Sequence, residues 1–329
     1  MTGTIVCFGE ALIDFLARPA DGRAARTFAQ FAGGAPANVA VAAARLGAPV
    51  HFVGMLARDM FGDFLLDSLR DAGVGTEYVV RTDAANTALA FVALDAHGER
   101  NFSFYRPPAA DLLFRDEHFR ADCFAAARVF HVCSNSLTDD AIAAVTLAGV
   151  RRARAAGALV SVDLNLRPAL WPEGVDPTPL LWELLREGDV VKLAHNELAY
   201  LAERGGGEQA VVERLLGDRA HLVVVTHGAA DVRWHTPAGA GEVRNFRVRV
   251  IDTTAAGDAF VGGLLHALHA RGVDARTFGT FVRDRYALHA ALRFATATGA
   301  LSVTRYGAFE SMPTRSEVER LLADQHEPA

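Results

Sequence analysis

The chain has 329 residues, 51% of them hydrophobic and 22% charged, enough to bury one large α/β core with or without an appendage. A formal net charge of −6 and a pI near 6.1 exclude a general nucleic-acid binder, because no basic excess exists to neutralise phosphates. Three cysteines without a CxxC spacing suit free thiols; with no basic-then-apolar leader and no run of ~18 apolar residues to span a bilayer, the expected location is the cytoplasm, without a membrane partner.

Residues 4–9 (TIVCFG) are a short apolar run closing on glycine, the pattern of a buried strand feeding a loop. Glu10 and Asp14 follow at once, where a carboxylate beyond a strand end either touches ligand or sits solvated in a loop. Gly33-Gly34-Ala35-Pro36-Ala37-Asn38 then precedes an alanine-rich run. Pro36 marks a helix start, Gly47 a stop, and the paired glycines admit close approach of a ligand to backbone. Asn38 falls in the first turn, facing the same cleft. Residues 51–73 read as strand, loop and amphipathic helix. Residues 87–106 change the rhythm: two strands around the turn 95–98 make a hairpin, expected to stand apart from a parallel sheet as a cover, with residues 15–31 adding strands to it. Tyr105 and Arg106 at its end are placed to reach into a cleft.

From residue 127 onward strands and helices alternate, as in a parallel sheet with helices on both faces. The expected strands are 129–133 (VFHVC), 158–166 (ALVSVDLNL), 189–193 (DVVKL) and 221–228 (HLVVVTHG), with helices at 139–156, 196–204 and 208–216. Each strand ends in a polar cluster, and such ends on one sheet edge make a cleft. Residues 276–301 read as a long helical stretch broken near Ala291, and Pro313-Thr314 opens a final amphipathic helix.

The stretch 251–263 (IDTTAAGDAFVGG) looks like an anion site at the mouth of a helix. Ala255, Ala256 and Gly257 let backbone N–H groups crowd together ahead of the apolar helix 259–270, whose dipole favours negative charge there. Asp258, a carboxylate beside an anion cradle, suits removal of a proton from an attacking group; a plain N-cap role for Asp258 or Thr254 is the alternative. The common phosphate motifs are absent. The only lysine, Lys192, lies between Val191 and Leu193, so no GxxxxGK(S/T) loop exists, and no GxGxxG, HExxH, GxSxG or zinc spacing occurs. His266 and His269 share a helix face and read as exposed polar residues rather than metal ligands.

Gly33-Gly34-Ala35-Pro36-Ala37-Asn38 with the run to Gly62, and Asp252-Thr253-Thr254-Ala255-Ala256-Gly257-Asp258, resemble the two signature motifs of the PfkB (ribokinase-like) carbohydrate kinases, in order and across essentially the whole chain. The resemblance implies a ribokinase-like three-layer α/β/α sandwich: one kinase domain over 1–329, a mainly parallel central sheet, and a small β-sheet lid from about 12–32 and 86–106. It implies ATP-dependent phosphorylation of a sugar hydroxyl. By that likeness Asp258 is the catalytic base, and the N–H groups of Ala255, Ala256, Gly257 and Asp258 form the anion hole. Asp14, Gly33, Gly34, Asn38, Arg106, Asp163, Asn165 and Arg167 hold the substrate; Thr226, Gly228 and Thr296, with Ala256 and Gly257, hold the nucleotide. Glu197 matches the glutamate of the family's Asn-x-x-Glu motif, which organises Mg²⁺ through water, although Ala194 stands at the Asn position; a first-turn helix acid is the alternative. Asp252 and Thr254, with the loop 304–311, resemble a K⁺ site. The glycine usual shortly after Gly228 is missing from Ala229-Ala230-Asp231.

Phe104-Tyr105-Arg106, DLNLRPALWP and FATATGALSVTRYGA look most like fructokinases of that family, which makes fructose the first expected acceptor. A 2-keto-3-deoxygluconate kinase is the alternative, with Arg106 and Arg167 clamping the acid's carboxylate; an ion pair at the lid hinge is the other reading of those arginines. A non-catalytic sugar or nucleotide sensor on the same scaffold is the rival from another class. Lids of this type often pair across a homodimer.

Overall fold

The computed structural model describes residues 3–17, 27–94 and 100–325. Strand β1 (Thr4–Phe8) shows why the main sheet must be covered twice: Ile5 and Cys7 enter one apolar core while Val6 and Phe8 enter another. A strand buried on both faces needs no polar alternation, which is the parallel-sheet pattern. Strands β2 (Leu12–Ala17) and β3 (Phe28–Gly33) follow, then helix α1 (Ala35–Arg45) with proline in its first turn, β4 (Val50–Ala57), α2 (Met60–Asp71) and β5 (Gly75–Thr82). The hairpin β6 (Leu89–Leu94) and β7 (Arg100–Tyr105) forms as expected, antiparallel from Leu89↔Tyr105 to Leu94↔Arg100. Its anticipated turn at 95–98 lies outside the described residues.

The alternating half then runs α3 (Ala121–Ala126), β8 (Ala127–Cys133), α4 (Asp140–Ala155), β9 (Leu159–Asp163), α5 (Thr178–Leu185), β10 (Val190–Ala194), α6 (His195–Gly205), α7 (Glu208–Asp218) and β11 (Leu222–Thr226). Strands β12 (Val232–Thr236) and β13 (Gly239–Val243) add an antiparallel edge, and α8 (Ala256–Ala270), α9 (Phe278–Phe281), α10 (Arg285–Ser302) and α11 (Arg315–Asp324) close the chain. The main sheet has nine strands in the order β13-β12-β11-β10-β9-β8-β1-β4-β5, parallel from β11 to β5. Helices α1, α8 and α10 pack on one face and α4 to α7 on the other, giving three α/β/α layers. The separate four-stranded sheet, β3-β2-β6-β7, stands beyond the carboxyl edge of the parallel strands.

Two expectations are corrected. Helix α10 passes through Ala291 without a break; the interruption lies at residues 282–284, where the Asp284 carboxylate accepts from the N–H groups of Tyr286 and Ala287 and starts a new helix. Gly299 lets α10 lie close against α8, since a Cβ there would stand 3.2 Å from the Ala256 carbonyl oxygen. His266 is not exposed. It is buried and stacks on Phe294 at 5.3 Å, and burial pushes its imidazole down to about 4, so it is a neutral core residue. Cys7, Cys123 and Cys133 are free, as anticipated, and all three are buried; among the described residues no helix is long and apolar enough to cross a membrane.

Candidate active site

Helix α8 begins one turn earlier than its apolar pattern suggests, because Ala255 takes the left-handed conformation (φ 58°) and turns the chain sharply into Ala256. No side chain caps it. The first firm helical bond is from Ala259 N–H to Ala255 O at 2.8 Å; Ala256 N–H reaches Thr253 O only at 3.4 Å, and among the described residues nothing accepts from Gly257 or Asp258 N–H. Unsatisfied donors at a helix start are an anion site. Asp258 is therefore not the cap. Its Oδ2 accepts from Asn38 Nδ2 at 2.7 Å and its Oδ1 from Asn165 Nδ2 at 3.0 Å. Burial raises its carboxyl to about 6 and the neighbouring Asp163 charge adds to this, while Asn38, Lys192 and Arg167 pull it back. An acid so poised is ionised at neutral pH yet basic enough to accept a proton.

The start of α8 is also a shared wall. On one side lies a cavity of about 280 Å³ lined by Asp14, Gly34, Asn38, Asn165, Arg167 and Asp258. On the other lies one of about 830 Å³ lined by Thr226, Gly228, Ala256, Gly257 and Thr296. Ala255 and Asp258 face the first, and Ala256 and Gly257 face the second.

A pfkB family carbohydrate kinase profile matches residues 2–315. The chain belongs to the PfkB family of carbohydrate kinases. As a PfkB kinase it is a phosphotransferase that acts on a sugar alcohol group. It is 40% identical over 320 residues to fructokinase-1 of Oryza sativa subsp. japonica, covering 97% of each chain. Among solved structures it is similar to a Xylella fastidiosa fructokinase with bound ATP (57% identity, TM-score 0.96, 99% of this chain and 100% of the other). A Vibrio cholerae fructokinase bound to fructose, ADP and calcium ion aligns at 31% identity and a TM-score of 0.84 over 98% of this chain and 99% of that one. The ribokinase-like fold expected from the motifs is confirmed.

The residues expected to hold substrate in this PfkB kinase separate into two groups. Asp14, Gly34, Asn38, Asn165 and Arg167 line the smaller cavity. Gly33 serves by being small: a Cβ there would stand 2.2 Å from Asp14 Oδ2. Asp163 does not line it. Its carboxylate is buried and holds Lys192 Nζ at 3.0 and 3.2 Å, so it acts beneath the site. Arg106 stands in the cavity wall with its guanidinium already engaged. It touches the cavity but is 2% exposed, donating from Nε and Nη2 to Asp111 Oδ2 at 2.9 and 2.6 Å and from Nη1 to Asn135 O at 2.7 Å and Thr138 Oγ1 at 3.2 Å. The ion-pair reading of that arginine is the one observed. Tyr105, expected to reach inward, is 67% exposed, while its neighbour Phe104 lines the cavity, because successive strand residues point to opposite faces.

Glu197 sits as the first-turn acid of α6 and carries one further bond. Its Oε2 accepts from Ala194 N–H at 2.7 Å, as a first-turn acid does, and its Oε1 from Leu166 N–H at 2.9 Å, which ties α6 to the loop carrying Asn165 and Arg167. Asp252 Oδ1 accepts from Thr254 N–H at 2.8 Å and Oδ2 from Gly307 N–H at 3.1 Å, joining the anion loop to the 304–311 segment. On the nucleotide side, Asn245 ties down the Ala229-Ala230-Asp231 loop, donating to Gly228 O and Ala230 O at 3.0 and 3.1 Å.

Three residues outside the two signature motifs support the site. Lys192 lies under the anion loop: a Cβ on Gly257 would come within 2.9 Å of its Nζ. Burial alone would lower its ammonium, but the carboxylates of Asp163 and Glu197 outweigh that and hold it charged. One lysine among 33 basic residues was the available signal. Glu10 Oε1 accepts from Ala35 N–H at 3.2 Å and Asn135 Nδ2 at 3.0 Å, fixing the start of α1. Asn135 thereby leaves its buried Oδ1 as an unused acceptor in the cavity lining.

Proposed function

We propose that the enzyme transfers the γ-phosphate of ATP to a hydroxyl of fructose. The observation that carries this is the α8 start standing between two cavities, with a buried carboxylate on the smaller side and open N–H donors on the other. Fructose occupies the smaller cavity, its hydroxyls donating to Asp14, whose carboxylate only accepts. ATP occupies the larger one, its phosphates resting on the N–H groups of Ala255, Ala256, Gly257 and Asp258, with Thr226, Gly228 and Thr296 along the nucleotide. The acceptor hydroxyl gives its proton to Asp258 as its oxygen bonds to the γ-phosphorus, the bond to the β-phosphate oxygen breaks, and ADP leaves. Phosphoryl transfer asks for positioning and charge stabilisation, which helix-end donors, Lys192 and Arg167 supply.

Magnesium belongs to the substrate, arriving with ATP and neutralising its phosphates. The residues fit a hydrated ion rather than an all-protein cage: among the described residues no group of three or more His, Cys, Asp or Glu is set to hold a metal. Glu197, with each oxygen bonded to a backbone N–H, retains lone pairs to orient metal-bound water. A K⁺ ion beside Asp252 and Thr254 would brace the same loop that Asp252 already ties down. The small sheet acts as a lid, and the exposed Phe28 and Tyr105 on it offer an apolar rim for a second copy in a cytoplasmic homodimer.

The engagement of Arg106 by Asp111 favours a neutral sugar over 2-keto-3-deoxygluconate, since one of the two arginines needed to clamp a carboxylate is committed. Turnover of fructose, 2-keto-3-deoxygluconate, ribose and adenosine with Mg-ATP, side by side, tests this. Fructose gives the highest kcat/KM; preference for the acid would reverse the assignment.

A further inference from the structure

We infer that Asn165 is a positioning residue that sets the orientation of the Asp258 carboxylate, and that its left-handed backbone is what places its amide there. The inference rests on Asp258 being the base. Asn165 has φ 44°, one of two non-glycine residues with positive φ among those described, the other being Ala255 in the anion loop. The loop leaves it no alternative. Leu164 N–H on one side donates to Lys192 O at 3.1 Å, and Leu166 N–H on the other donates to Glu197 Oε1 at 2.9 Å, so the backbone is pinned on both flanks of residue 165.

From that fold the Asn165 side chain delivers Nδ2 to Asp258 Oδ1 at 3.0 Å, while Asn38, from the first turn of α1, delivers its own Nδ2 to Oδ2 at 2.7 Å. All three residues are buried, at 5–6% exposure, so water does not replace either donor. A carboxylate held at both oxygens by donors from two separate elements cannot rotate about its Cβ–Cγ bond. Each oxygen retains a second lone pair for the sugar hydroxyl. The backbone and side-chain requirements together select asparagine. Glycine fits positive φ best but brings no donor, aspartate tolerates it but places a second carboxylate against Asp258, and alanine satisfies neither demand.

These conflicting demands make the test. For Asn165→Gly the backbone strain is relieved, so the melting temperature is held or raised, while kcat falls about 10- to 100-fold because the base is no longer aligned. KM for fructose stays within about threefold, since an interaction with Asp258 rather than with the sugar has been lost. Asn165→Asp falls further in kcat, and Asn165→Ala loses both stability and kcat. A glycine variant with kcat within twofold of wild type overturns the inference, as does one whose KM rises while kcat is kept, the mark of a plain sugar contact. Asp258→Asn is assayed alongside. If it retains turnover, the base assignment itself fails whatever the Asn165 variants do; if it is inactive while Asn165→Gly matches wild type, the positioning role alone is wrong.

Discussion

Lys192→Met removes the chain's single ammonium while keeping most of its stem volume. Side-chain exposures of 6% for Lys192 and 1% for Asp163 place the pair out of water, and Nζ sits 3.0 and 3.2 Å from the two Asp163 oxygens. Removing one member of such a pair strands the other charge and costs about 3–5 kcal/mol. At roughly 2.1 cal/mol/K per residue, the melting entropy of a 329-residue chain is about 0.7 kcal/mol/K, so the melting temperature should fall by about 4–7 °C. Adding Asp163→Asn removes the stranded charge and should restore most of that loss, because replacing both members of a buried pair is close to neutral. Scanning calorimetry of wild type, both single variants and the double variant closes the cycle. A methionine variant melting within about 1 °C of wild type, or a double variant no better than the methionine single, would refute the reasoning. The same substitution has a kinetic signature. Lys192 helps hold the Asp258 carboxyl down, so without it that carboxyl rises further and the acid limb of kcat/KM moves to higher pH.

In the wild-type enzyme, burial and the Asp163 charge raise the Asp258 carboxyl to about 6, and only the ionised form accepts a proton; kcat/KM for fructose should be half its plateau near pH 6 and about a tenth of it at pH 5, read from a pH series at saturating Mg-ATP. Gly34→Ala, at φ 106°, would put a Cβ 2.6 Å from Glu10 O and 2.7 Å from Ala11 Cα, backbone atoms that cannot step aside, and should cost at least ~2–3 kcal/mol in urea unfolding and weaken fructose binding by displacing the start of α1. Ala255→Gly relieves a left-handed alanine at φ 58° and should gain about 0.5–1 kcal/mol in the same assay, after the entropic cost of glycine is subtracted.

Much of the architecture was legible because local pattern and tertiary role agree. The apolar runs of β8 to β11 ending in polar clusters, Pro36 opening α1, and the glycine pair beside Asp14 each mean in three dimensions what they mean in one. What the sequence hid are partnerships that no motif marks, some distant in sequence and some near. Lys192 and Asp163 are Cα partners across β10 and β9, a pairing that exists only once the strands are in register. Of the two readings open for Arg106, the ion pair needed a partner, and Asp111 in a short 3₁₀ segment carries no motif that would name it. The break in the C-terminal helices lies at the Asp284 cap rather than near Ala291, and it is the capping bonds to Tyr286 and Ala287 that mark it. Strands β12 and β13 are only five residues each, and β13 is glycine-rich, too weak a pattern to read without the sheet edge they extend.

The central claim is that Asp258 takes the proton from the sugar hydroxyl while the adjoining helix start holds the migrating phosphoryl group. Asp258→Asn keeps the shape and the two neighbouring amides but removes the base. Steady-state turnover of fructose with Mg-ATP should fall by about 10²–10⁴-fold while fructose affinity, measured by calorimetric titration, stays within a few-fold of wild type. Turnover within tenfold of wild type by a correctly folded Asp258→Asn enzyme would contradict the account.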